Sequence, residues 1–94
     1  MAMGATRPEG MTEQETRVLP PFRVILHNDD VNSFEHVVRT ILKLTTLELP
    51  EAFERTLEAH EKGQSLLLVT HKERAELYCE QFATYRLTVT HEPA

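Results

Sequence analysis

HNDDVNSFEHVV, residues 27–38, decides how the rest of the chain must fold. Before it, Phe22, Val24, Ile25 and Leu26 read as a strand, set off from what precedes by Pro20 and Pro21, which have no backbone N–H to give. After it, Phe34, Val37, Val38, Ile41 and Leu42 recur at i, i+3, i+4, i+7 and i+8, the stripe of a helix that faces a core. The stretch is therefore a strand-to-helix corner, and Asn28, Asp29 and Asp30 stand on it in a row. Rigid elements on both sides hold such loop side chains still, which is what a binding site needs. Asn32 is the expected N-cap of a helix beginning at Ser33, with Glu35 closing a capping box, a structural task that involves no ligand.

Outward from the corner, the first helix fades at the β-branched Thr45 and Thr46. Pro50 suits the first turn of a second helix and Gly63 the residue just past its end. Between them Ala52, Phe53, Thr56, Leu57 and His60 fall on one stripe, and a histidine there must find partners for its ring nitrogens. Gln64–Thr70 holds a short apolar run of strand length. Thr70 is then the expected N-cap of a third helix, with Glu73 at the capping-box position. Its stripe is Ala75, Tyr78, Cys79 and Phe82, which makes Cys79 a core residue. Arg86–His91 alternates through Leu87 and Val89 as a last strand.

Amphipathic helices cannot bury their stripes alone, so they pack on one face of a small sheet. The order β-α-α-β-α-β predicts an α+β domain over residues 21–94, a three-stranded, mainly antiparallel sheet against three helices. Residues 1–20, with little to bury and several Gly and Pro, are expected to form a flexible tail, either an unselected leader or an arm that engages a partner.

The whole chain, 94 residues, is long enough for one core and no more. Its 10 Lys and Arg against 15 Asp and Glu give a net charge of -5, which repels a phosphate backbone, so nucleic acid is not an expected partner. No apolar run approaches the ~20 residues of a membrane span, and the first residues lack a signal-peptide centre. Cys79, the single cysteine, cannot pair within the chain, which fits a reducing, cytoplasmic setting.

Three chemistries compete at the corner. For hydrolysis, Ser33 is the only hydroxyl nearby, and it lies in the capping region without nucleophile-elbow glycines, so no catalytic residue is expected. For metal binding, the adjacent carboxylates lack the alternate spacing and bend glycine of a calcium loop, and no Cys/His spacing suggests zinc. For cation recognition, Asn28 offers a carbonyl oxygen, Asp29 and Asp30 carboxylates, and neutral His60 a ring nitrogen; an ammonium group, with three donors and no acceptor, suits that set. An apolar hollow walled by the stripe from Phe34 and Val37 would turn this into a receptor for an amino terminus with a large first side chain. The plainer alternative is a helix-capping turn on a solvated surface.

VILHNDDVNSFEHVV, residues 24–38, with EAHEKGQ around His60 and HKERAE opening the third helix, resembles the ClpS family of N-end-rule adaptors, in order and spacing over Pro20–Pro93. The resemblance implies three helices on a three-stranded sheet, no cofactor, and an adaptor in place of an enzyme. It implies that Asn28, Asp29 and His60 hold the free α-amino group of an N-degron, with Asp30 supporting them. It also implies that Val37, Ala59 and Leu87 line a pocket for a first residue such as Phe, Tyr, Trp or Leu. The partner implied is a Clp-type AAA+ ATPase of the ClpA or ClpC class, engaged by the tail, with the adaptor a monomer. Phe34 stands where many members place a rim methionine, Asn32 where threonine or serine is common, and Thr56 at another frequent methionine position, which makes the expected pocket floor more polar. The same strand and helix order also resembles the C-terminal domain of the ribosomal stalk protein, a protein-interaction module that needs no such corner.

Overall fold

The computed structural model describes residues 19–94. The expected tail lies almost wholly outside the described residues. In chain order the elements are β1 (Pro21–His27), α1 (Phe34–Leu44), α2 (Leu49–Lys62), β2 (Gln64–His71), α3 (Lys72–Thr84) and β3 (Val89–Pro93). The strands form one antiparallel sheet in the order β2-β1-β3, so β1 pairs on both edges. This is the α+β arrangement the apolar spacing predicts.

Burial in the core cluster follows the two periodicities, while Ile25 is also buried on the other face of β1. Val24 and Leu26 alternate inward from β1 and meet Val38 and Ile41 of α1, Ala52 and Ala59 of α2, and Ala75 and Phe82 of α3. The β1–β2 register steps from Val24↔Leu68 to Ile25↔Leu66, so Leu67 is an extra residue in the ladder. The bulge lets Leu67 reach the core at 2% exposure. Tyr78 and Cys79 pack against the same core. Burial pushes the Cys79 thiol up, with the Glu76 and Glu80 carboxylates adding to it, so the thiol stays protonated at neutral pH.

Several boundaries differ from the sequence reading. The N-cap of α1 is Ser33, whose Oγ accepts from the His36 N–H at 3.1 Å, because its extended backbone makes it the half-in residue. Asn32 is spent elsewhere, as described below. The N-cap of α3 is His71, not Thr70, because β2 continues one residue further and pairs Thr70 with Phe22. The last strand starts at Val89, not Arg86. Arg86 sits in the left-handed region at φ 68, and the Leu87 N–H closes the end of α3 on the Phe82 carbonyl at 3.1 Å, so neither residue can join the ladder.

On α2 the buried stripe is Ala52, Thr56 and Ala59. Phe53 and Leu57 remain 52% and 38% exposed, and His60 is exposed. Small residues allow the helix to approach its neighbours closely, and the larger ones are turned to its flank. Gly63 ends α2 at φ 93, with nothing within 4 Å of where a Cβ would sit. Gly63→Ala therefore meets backbone strain without a clash, and its denaturation midpoint should fall by the equivalent of about 1 kcal/mol with an unchanged slope.

Candidate functional site

Two backbone contacts build the corner. The His27 N–H donates to Thr88 O at 3.0 Å, extending β1's tie toward β3, and the next N–H, of Asn28, turns to Gly63 O at 3.0 Å. The second bond fastens the corner to the end of α2, one turn beyond His60. Asn28 and His60 are thereby brought to the same cavity although they lie on separate elements.

That cavity, about 360 Å³, is lined by Leu26, His27, Asn28, Asp29, Asp30, Asn32, Phe34, Val37, Thr56, Ala59 and His60. Leu26, Thr56 and Ala59 are buried and form its inner wall, while Asn28, Asp30 and His60 are exposed at its rim. The lining contains no lysine or arginine. A volume of this size admits one large side chain.

Asp29 is the hub of the corner. Its Oδ1 accepts from the Val31 N–H at 2.9 Å and the Asn32 N–H at 2.8 Å, and the Asn32 side-chain amide reaches Oδ1 and Oδ2 at 3.3 and 3.1 Å. The same amide donates to Arg86 O at 2.8 Å, tying the corner to the turn before β3. Beside it, His36 Nε2–H donates to Tyr85 O at 2.8 Å. Partial burial alone would push the Asp29 carboxyl up, but the Asn32 and Val31 donors, with His36 nearby, outweigh it and hold the carboxyl below the usual aspartate range. Oδ1 is thus occupied by the protein's own donors, and Oδ2 is the oxygen with capacity to spare.

Thr56 does not make the floor a free donor, because its hydroxyl donates to Ala52 O at 2.7 Å within its own helix. Phe34 stands at the cavity edge, 36% exposed. Leu87 is not among the lining residues; at 3% exposure it belongs to the core. Leu26 and His27, at the end of β1, also line the cavity, beyond the binding residues the sequence suggests. Leu26 carried only a strand signal, and the end of a strand feeding a site-bearing loop is the hint that could have found both. Among the described residues no group of three His, Cys, Asp or Glu side chains comes together to hold a metal, and no helix is long and apolar enough to cross a membrane.

Residues 18–91 match the family model described as ATP-dependent Clp protease adaptor protein ClpS. The chain belongs to the ClpS family. It is 38% identical to the ATP-dependent Clp protease adapter protein ClpS of Synechococcus elongatus, over 93% of this chain and 90% of that protein. A chloroplastic Clp protease adapter of Chlamydomonas reinhardtii is 35% identical over 93% of this chain and 54% of that protein. Among solved structures, Agrobacterium tumefaciens ClpS2 bound to L-phenylalaninamide superposes with a TM-score of 0.72 at 22% identity, covering 80% of this chain and 98% of that one, which establishes the shared fold. As a ClpS-family member the protein is an adaptor of the ATP-dependent Clp protease and not a catalyst. The likeness to the ribosomal stalk domain is set aside on this match.

Proposed function

We propose that the cavity receives the first residue of an N-degron, its α-amino group held by Asn28, Asp29 Oδ2 and His60 and its bulky side chain lodged against Leu26, Val37 and Ala59. The observation that carries this reading is the meeting, at one cavity, of acceptor side chains at the rim with buried apolar side chains on the inner wall. An ammonium group needs acceptors on several sides and a large apolar residue needs an apolar hollow; acceptors and apolar side chains side by side support both parts of the reading. Asp30, exposed at the rim, adds negative charge that attracts the ammonium without being saturated locally. The L-phenylalaninamide bound by the Agrobacterium tumefaciens protein has the same two features, a free amine and an aromatic side chain.

Phe, Tyr, Trp and Leu are the first residues this site fits. Cargo would pass from a monomeric, cytoplasmic adaptor to a Clp ATPase of the ClpA or ClpC class. Titrating L-phenylalaninamide into the protein tests the site directly. Resonances of Asn28, Asp29, Val37 and His60 should shift together and saturate, and a titration that leaves them in place overturns the reading.

Phe34 narrows the rim more rigidly than a methionine would, since its ring has fewer rotatable bonds with which to re-pack. A first residue branched at Cβ should therefore meet it. Peptides differing only in Leu or Ile at the first position are expected to bind with about a tenfold preference for Leu, the scale of a misplaced methyl in a tight pocket. Equal affinities, read by fluorescence anisotropy, would remove Phe34 as a selectivity element.

A further inference from the structure

Phe53 does not line the cavity, yet it touches the residue at the cavity edge. Its ring lies edge-to-face with that of Phe34, centroids 4.9 Å apart and planes at 62°. The two rings come from different helices. Phe34 is the first residue of α1, and α2 supplies Phe53 together with Thr56, Ala59 and His60. The contact thus ties the position of the Phe34 ring to the helix that forms the inner wall. Phe53 is 52% exposed, on the flank of α2 rather than on the face that packs against the core. A phenylalanine left so open contributes little core burial, and its main contact of specific geometry is Phe34.

We infer that Phe53 is a positioning residue for first-residue selectivity: it braces the Phe34 ring at the rim, so that the ring cannot yield to a branch at the Cβ of the incoming residue. The inference rests on the reading of the cavity as an amino-terminus site. At the start of a helix, no earlier turn packs over the side chain, so without the brace the Phe34 ring is free to swing toward solvent. An aromatic pair of this kind changes an equilibrium by about two- to tenfold.

The test uses the full chain and peptides identical except for Leu or Ile at the first position, each with a free and an acetylated terminus. In Phe53→Ala the Leu-over-Ile affinity ratio should fall about two- to tenfold, while Phe53→Tyr, which keeps the ring, should restore it. Because Phe53 acts through Phe34, adding Phe53→Ala to Phe34→Ala should leave the ratio where Phe34→Ala put it. Ala suits an exposed helical position, and circular dichroism verifies that the variants fold. An unchanged ratio in Phe53→Ala, an equal loss for both peptides, or a further fall on top of Phe34→Ala overturns the inference. If the unaltered protein binds free and acetylated peptides alike, the amino-terminus reading fails first and takes this inference with it.

Discussion

A short peptide beginning with phenylalanine should bind this protein about ten- to a hundredfold more tightly with its amino terminus free than with it acetylated, the equivalent of roughly 1–3 kcal/mol for lost charged hydrogen bonds. Acetylation removes the positive charge, leaves a single N–H where there were three, and places a carbonyl oxygen among acceptors. Asn28, Asp29 and His60, which line the cavity, would then face a group that cannot satisfy them, while the first side chain would still fit the hollow. The residual affinity of the acetylated peptide measures the apolar part alone. Fluorescence anisotropy with the labelled pair reads the difference, and indistinguishable curves rule out an amino-group anchor.

The second large effect separates binding from architecture at Asp29. In Asp29→Ala the Val31 and Asn32 N–H groups and one end of the Asn32 amide lose their acceptor at once. The corner should loosen as well as lose its charge, at about 1–2 kcal/mol of stability, comparable to removal of a helix cap. For a domain of this size that lowers the melting temperature by roughly 5–15 °C. Asp29→Asn keeps an oxygen for the backbone donors but sets an amide where Oδ2 was, so it should melt closer to the unaltered protein and still lose most peptide affinity. Calorimetry and peptide titration on both variants check this. Full binding by Asp29→Asn would mean that the carboxylate serves the corner only.

The same carboxyl gives a pH dependence whose sign is determined. Its folded-state pKa is depressed, so its contribution to stability is fully present above the ordinary aspartate pKa of about 3.9 and is lost as pH falls through the lower folded value. Acid unfolding of the unaltered protein should therefore steepen below about pH 4 relative to Asp29→Asn, which has no proton to take up there.

How much of this was legible in advance depends on the range of the physics involved. Helical spacing from Phe34 to Leu42 and the Pro50 and Gly63 punctuation are local, and they placed α1 and α2 to within a residue or so. Both caps sit one residue later than the sequence suggests, at Ser33 in place of Asn32 and at His71 in place of Thr70. Neighbouring polar side chains compete for the same donors, and the winner depends on where the preceding strand ends. The buried stripe on α2 is narrower than the apolar spacing suggests, because hydrophobicity marks apolar residues without saying which of two adjacent faces turns inward; the choice fell to the small residues Ala52, Thr56 and Ala59. The corner's residue types mark it as a candidate cation site. They could not reveal that Asp29 Oδ1 is consumed by its own loop, since that requires the turn's geometry.

The one-dimensional chain therefore determined the element order, the β-α-α-β-α-β domain and the polar corner, because each rests on contacts between residues a few positions apart. Only the tertiary structure decided that Asn28 and His60 line one cavity, with the Asn28–Gly63 bond tying the corner to α2, that Leu87 goes to the core instead of the cavity, and that Phe34 leans on Phe53. Those outcomes turn on how helices seat against the sheet, where burial of one side chain excludes another and no short-range pattern records which prevails.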